Sequence, residues 1–339
     1  FAEYRWFRRV VTIIILFLSV YSADAQTGHK SIYDWAYIHL DYARQEIAER
    51  LEGFFDSIHQ NASQINDVGF MSRFFAVHEE YYQMQKAGNV PADFARRIEK
   101  LRNSIRGYYL ENYISFYDLL LVNTDGEVFY SIRKESDYGR NLFEERHAGA
   151  PLSRVLKDKP REEVFVDFHF YDASDEPAAF FIEPVVNDGQ LLGWFVLQCA
   201  INKVNSIFDG AGRLGKTGEV FLVNRDGFLL TESSFTADET ILTMQLDDGN
   251  VSAKFDMKQG HKMVTDYRRF RALSSFEVFE FMDTQWLIVA KVDESQVVTD
   301  HYRQHPRYYF DKLSQQLSDH QVCDSNLSLP EFNKKMIMV

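Results

Sequence analysis

Cysteine is nearly absent from this chain of 339 residues, which holds only Cys199 and Cys323. Two thiols make no disulfide framework, and neither sits in the Cys/His spacing of a zinc site. Basic charge is also short, with 37 Lys and Arg against 50 Asp and Glu, a formal charge of −13 and a pI near 5.3. Such a field repels phosphate backbones and anionic headgroups, so no nucleic-acid partner is expected. Beyond the N-terminus no apolar run approaches the ~20 residues of a membrane-spanning helix, so no second crossing is expected. Catalytic signatures are missing as well. There is no Gly-x-Ser-x-Gly elbow and no Cys-centred motif, and among so many acids a carboxylate pair identifies nothing. The chain therefore reads as a non-enzyme, with no cofactor and no metal site.

What is present is a repeat. Tyr117 to Ile132 reads YDLLLVNTDGEVFYSI and Gly218 to Ser233 reads GEVFLVNRDGFLLTES, so Leu121-Val122-Asn123-Thr124-Asp125-Gly126 falls on Leu222-Val223-Asn224-Arg225-Asp226-Gly227. Each copy predicts a β-hairpin. Asn and Asp bond their own backbone, Gly supplies positive φ, and the flanks are β-branched or aromatic. Gly193-Trp194-Phe195-Val196-Leu197 and Gln285-Trp286-Leu287-Ile288-Val289 close the two units in parallel fashion. With 45% hydrophobic residues the chain can bury one large core or two small ones, and the repeat favours two tandem modules.

The N-terminus carries Arg5, Arg8 and Arg9, an apolar run from Val10 to Val20, then Ala23-Asp24-Ala25, the pattern of a signal peptide over residues 1–25. Cleavage and retention as an anchor both fit, and either predicts export to the periplasm or another extracytoplasmic space. Residues 26–112 read as helices. Ile47, Leu51, Phe54, Ile58, Ala62 and Ile65 form one stripe, a break is expected near Gly69, and a further stripe runs from Phe94 to Tyr108 after Pro91. After the first hairpin come a short helix, Leu152 to Leu156, and strands Val164 to Tyr171, Ala178 to Val186 and Leu191 to Ala200. The second unit predicts a polar middle from Thr236 to Gly260, strands near Met263 to Tyr267, Ala272 to Phe281 and Trp286 to Val292, and a helix from Glu294. Residues 299–339 form a polar and aromatic tail.

Three motifs carry candidate chemistry. Gly210 to Thr217 fits G-x-x-x-x-G-K-T, but a helix precedes it and a strand follows, the reverse of a phosphate-cradling loop, so linker glycines explain it. His301 and His305 share a helical spacing, followed by His320, yet no carboxylate completes a metal motif and Pro306 weakens the helix. The strand Val164 to Tyr171 has unlike faces: Val164, Val166, Phe168 and Phe170 are apolar, while Phe165, Asp167, His169 and Tyr171 mostly bear functional groups. The second face either meets water or lines a ligand cleft.

Taken together, the export segment, the long helix, the NTDG hairpin, the stretch Asp167 to Phe180 and the run Leu214-Gly215-Lys216-Thr217-Gly218-Glu219-Val220-Phe221-Leu222-Val223 resemble the double Cache family of extracytoplasmic sensor domains. The resemblance covers residues 31–298. It implies an α+β fold, in which a long N-terminal helix flanks two PAS-like antiparallel sheets. The membrane-distal module would span 113–205 and the membrane-proximal one 206–298, with a small ligand bound in the distal module. Asp167, Tyr171 and Ser174 are expected to converge there, with Tyr130, Arg133 and Phe181 as neighbours under the family fold. No tryptophan lies between Leu156 and Val166, and the aromatic and Arg-rich constellation of the amino-acid-binding branch is not found. The expected function is ligand sensing, with output through a membrane signalling partner or a homodimer of the N-terminal helix. The alternative is a ligand-free envelope scaffold that uses the Cache pair as an assembly surface.

Overall fold

The computed structural model describes residues 32–65, 70–112, 116–144, 149–209, 214–246, 249–307 and 310–311. The export segment, the break expected near Gly69, linker residues 210–213 and the tail with His320 and Cys323 lie outside them. Among the described residues no helix is long and apolar enough to cross a membrane.

Helix α1 (Ile32–Ile65) is the axis of the molecule. Leu40, Ile47, Leu51, Phe55, Ile58 and Ala62 recur every three, four or seven residues, and all are buried. Phe55, not Phe54, carries the stripe: its ring is fully buried among Phe165, Phe279, Phe281 and Trp286, at centroid distances of 4.8–6.2 Å. Helices α2 (Phe70–Lys86) and α3 (Ala92–Asn112) follow, and Pro91 enters α3 where its missing N–H costs nothing.

The first sheet holds β1 (Asp118–Asn123), β2 (Val128–Ser131), β3 (Val164–Tyr171), β4 (Glu176–Asn187) and β5 (Gln190–Ala200), in the order β2-β1-β5-β4-β3. The second holds β6 (Glu219–Val223), β7 (Gln259–Thr265), β8 (Arg271–Phe281) and β9 (Thr284–Asp293), in the order β6-β9-β8-β7. All pairings are antiparallel. Laying β6 on β1, β7 on β3, β8 on β4 and β9 on β5 makes the two paths one. The counterpart of β2 is reduced to isolated bridges, Val223 with Leu229 and Phe228 with Gln245. The hairpin turns match: Gly126 has φ +88 and Gly227 φ +86, and each donates its N–H to the carbonyl of Asn123 or Asn224, at 2.9 and 3.0 Å.

Short helices close the modules: α4 (Pro151–Lys157), α5 (Ile201–Asn205), α6 (Gly249–Met257) and α7 (Glu294–Gln304). Helix α6 falls in the stretch expected to be a polar middle. Among its described side chains only Val251, Lys254 and Phe255 are buried, too few apolar positions to stand out as a period. Side chains divide into three cores. One is shared by α1 and the inner faces of both sheets, including Leu121, Phe165, Phe181, Leu222, Trp286 and Ile288. The outer face of the first sheet, with Leu120, Val122, Phe180, Trp194 and Val196, lies under Leu152 and Leu156 of α4. The outer face of the second, with Phe221, Phe276 and Val289, lies against Val251 and Phe255 of α6.

The two tryptophans aligned by sequence are one register position apart. Trp194 lies opposite Val122, whereas Leu287, not Trp286, lies opposite Val223. A one-residue slip exchanges faces in a strand, so Trp194 packs outward and Trp286 inward.

Candidate functional site

Polar groups collect on the outer face of the first sheet, at the end where β1 begins. Asp118 opens β1 and is 2% exposed, and its strand neighbour across β5 is Gln198, 1% exposed. Two otherwise apolar strands thus carry one polar residue each, side by side. The Asp118 carboxylate accepts the Ser131 hydroxyl at 2.7 Å and the backbone N–H groups of Leu119, Ile132 and Arg133 at 2.7, 3.0 and 3.1 Å. Burial nevertheless pushes its pKa up to about 6, against those hydrogen bonds and with the help of nearby Asp137.

Asp137, in the loop after β2, accepts the Tyr171 hydroxyl at 2.8 Å. The Tyr171 phenol is held far above its ordinary range by burial, with Asp137, Asp118 and Glu135 adding to the shift. Ser174, from the β3–β4 connection, accepts the Gln198 amide N–H at 3.0 Å, while the Gln198 carbonyl oxygen is buried with no hydrogen-bond partner among the described residues. Glu135 accepts the Tyr117 hydroxyl at 2.7 Å through one oxygen, and its other oxygen is buried without a partner among the described residues. Phe180 forms the apolar floor, with the Tyr171 ring edge-on at 4.8 Å and His169 at 5.5 Å. Burial lowers the His169 pKa, so the imidazole is neutral near pH 7. The result is a buried acceptor-rich cluster on an aromatic floor. Asp118 forms no ion pair among the described residues, so the arrangement suits a ligand that brings hydrogen-bond donors and positive charge.

Of the six residues expected to line a site, the structure brings Tyr171 and Ser174 into this cluster and sets Arg133 at its rim. The Arg133 guanidinium is exposed and lies 3.9 Å from the Tyr117 ring centroid. Tyr130 and Phe181 point the other way. Tyr130 lies under α2, edge-on to Phe74 at 5.5 Å and His78 at 5.0 Å, and Phe181 lies 5.7 Å from His59 of α1. Strand alternation decides this for Phe181, since Phe180 beside it takes the outer face, whereas Tyr130 lies opposite inward-facing Leu121 at a register shift that leaves Phe129 on the inner face as well.

Asp167 does not converge with Tyr171 and Ser174. A bulge between Val166 and His169 breaks the alternation of β3, so Phe165 and Phe168 both turn inward and Phe170 is left 55% exposed. The Asp167 carboxylate lands at the boundary between the sheets and accepts the Trp286 indole N–H at 2.8 Å. It is a strut between modules.

Asp118, Asp137, Glu135 and Gln198 were not singled out from the sequence. The signal was available in the repeat, where Asp118 falls on Glu219, so both copies place a lone acid at the head of an apolar strand. Of the phosphate-loop look-alike, Thr217 donates to Gln296 Oε1 at 2.9 Å and accepts the Asp293 N–H at 3.2 Å, tying the linker to α7. His301 and His305 approach to 4.7 Å between ring centroids.

A family model described as a Cache domain matches residues 29–300. No curated protein matches the chain. Among solved structures, an extracellular ligand binding receptor from Desulfohalobium retbaense DSM5692 is similar at a TM-score of 0.50 and 15% identity, over 74% of this chain and 39% of that one. This chain thus spans well under half of that receptor. The ligand binding domain of the Pseudomonas aeruginosa PAO1 amino acid chemoreceptor PctB in complex with L-Gln is similar at 0.46 and 15%, over 84% and 98% of the two chains. That of the same organism's amino acid chemoreceptor PctC in complex with GABA is similar at 0.46 and 15%, over 76% and 98%. At these identities the likeness is one of fold.

Proposed function

This chain belongs to the Cache domain family, in its two-module form, and we propose from that membership that it is an extracytoplasmic sensor that binds a small molecule on the outer face of its first sheet. The observation that supports the reading most is the buried polar cluster around Asp118 and Gln198. Folding alone gives no reason to bury a carboxylate without a cation and an amide carbonyl without a donor, because each costs stability on the order of 1–3 kcal/mol. A ligand that supplies donors recovers this when it binds. The buried groups are mainly acceptors and aromatic rings, with the exposed Arg133 guanidinium stacked on Tyr117 at the rim, so a cationic or hydroxylated metabolite fits the interior better than an acid. The action proposed is binding, not chemistry. Output passes to a membrane signalling partner or through pairing of α1 with a second copy.

A thermal-shift screen of small ammonium compounds, polyols and carboxylates tests the reading. Ammonium or hydroxyl compounds should raise the Tm of the wild type, and Asp118→Asn should weaken the best of them about tenfold to a hundredfold. If no compound stabilises the protein, or if Asp118→Asn leaves every affinity unchanged, the sensor reading gives way to a scaffold without a ligand.

A further inference from the structure

The second module carries the counterpart of the cluster, and there the buried acids are paired with cations from within the chain, while the hydroxyl of Ser274, opposite Lys291 across the ladder, is buried without a hydrogen-bond partner among the described residues. Glu219 opens β6 as Asp118 opens β1, and it is 4% exposed. Its Oε1 accepts the Ser233 hydroxyl at 2.8 Å and the Ser234 N–H at 3.1 Å, while Oε2 accepts the Tyr267 hydroxyl at 2.8 Å. At the centre stands the Lys291 ammonium, on a residue 2% exposed. It donates to Asp266 Oδ2 at 2.6 Å, lies 3.4 Å from Glu219 Oε2, and sits 4.0 Å from the centroid of the Tyr267 ring. Arg268 also pairs with Asp266, at the same Oδ2, at 2.7 Å, and with Asp293.

The correspondence follows from strand register. Asp118 lies opposite Gln198 on the neighbouring strand, and Glu219 lies opposite Lys291. In each module a serine hydroxyl and a backbone N–H from the chain after the hairpin bind the strand-opening acid: Ser131 and Ile132 in the first, Ser233 and Ser234 in the second. In each, a tyrosine near the end of the third strand donates to a carboxylate, Tyr171 to Asp137 and Tyr267 to Glu219. The central residue differs. The first module has Gln198, whose amide carbonyl is buried without a partner among the described residues, where the second has an ammonium.

We propose that Lys291 is a tethered ligand, its ammonium filling in the second module the place that a free organic ammonium ion takes beside Asp118, Gln198 and Tyr171 in the first. This rests on the sensor reading and names its ligand class. An ammonium brings three donors, and the acceptors nearby are Asp118, the Gln198 carbonyl and the Tyr171 oxygen. Aromatic rings against an ammonium at about 4 Å are the usual cage for such a cation. A carboxylate placed centrally would meet Asp118 and Asp137 and be repelled. The second module, keyed by its own lysine, takes no ligand, so each chain binds one.

Four proteins test this: the wild type, Lys291→Ala, Gln198→Lys and Asp118→Asn. The alanine variant lacks the three carbons and the nitrogen of n-propylammonium. Its Tm should fall, and n-propylammonium chloride should restore much of the loss, beyond any effect of sodium chloride at equal ionic strength or of n-propanol. Equal responses of Lys291→Ala and the wild type to n-propylammonium overturn the tethered-ligand assignment. If Lys291→Ala does not fold, Gln198→Lys decides. Its new ammonium should raise the Tm and abolish the wild type's stabilisation by n-propylammonium and ethanolammonium; an unchanged Tm with an unchanged response overturns the proposal. Stabilisation of the wild type by neutral or anionic compounds alone, lost in Asp118→Asn, overturns the ammonium class and leaves the sensor reading standing. Failure of every class to stabilise the wild type, with Gln198→Lys no more stable, overturns both.

Discussion

Asp167 offers the sharpest test of how the two modules hold together. Its carboxyl lies at their boundary, bonded to the Trp286 indole N–H at 2.8 Å and the Phe168 backbone N–H at 2.7 Å. Burial outweighs both bonds and lifts its pKa from the ordinary 3.8 to about 6, with Asp226 adding to the rise. A carboxyl with a folded pKa above its unfolded one binds its proton more tightly in the native state. The contribution of this carboxyl to stability is therefore greatest below pH 4, falls as pH rises from about 4 to 6, and is level above that. Two pKa units correspond to about 3 kcal/mol at the plateau, and partial relaxation of the site reduces this to roughly 1–3 kcal/mol. Asp167→Asn keeps an oxygen for Trp286 and removes the charge. Denaturant unfolding at pH 4 and pH 8 should then show the variant gaining about 1–3 kcal/mol on the wild type between the two pH values, whatever its absolute stability at either. Parallel pH profiles for the two proteins would refute the claim that this carboxylate is desolvated at the module boundary.

Phe55→Ala should cost about 3–5 kcal/mol, read as a lower denaturation midpoint, because its fully buried ring packs α1 against both sheets at once. Gly126→Ala should destabilise by more than the ~1 kcal/mol of an ordinary left-handed glycine position, since its Cβ would stand 2.6 Å from the Phe143 ring; Gly88→Ala, at φ +66 with open space around it, is the matched control. Lys216→Ala should leave the Tm within the scatter of surface substitutions, about ±0.5 kcal/mol, and equilibrium dialysis with ATP and magnesium should find no binding for Lys216 to support.

The paired sheets were legible because their signals are local. Asn-x-Asp-Gly turns and β-branched runs fix hairpins within a dozen residues, and β3 and β8 came within a residue of their observed bounds. The site was less legible, because the face a side chain takes depends on register, which is settled between strands distant in sequence. Asp167 shows this. Perfect alternation along β3 placed it beside Tyr171, and one bulge moved it to the other side of the sheet. The pairing of Trp194 with Trp286 failed the same way, two similar residues aligned by type but one step apart across the ladder. Asp118 and Gln198 were hidden for a different reason. Each is one polar residue in a run of apolar ones, and only their cross-strand pairing makes them a site.

Proton release on binding tests the central claim most directly. Asp118 titrates near pH 6 in the free protein, and a cation bound beside it lowers that value. Calorimetric titration at pH 6, with the ammonium compound that most stabilises the wild type and in two buffers of different ionisation enthalpy, counts the protons exchanged. The account predicts release of up to about half a proton per chain, and none in whatever weaker binding Asp118→Asn retains. Binding without proton exchange, or the same release from Asp118→Asn, would contradict it.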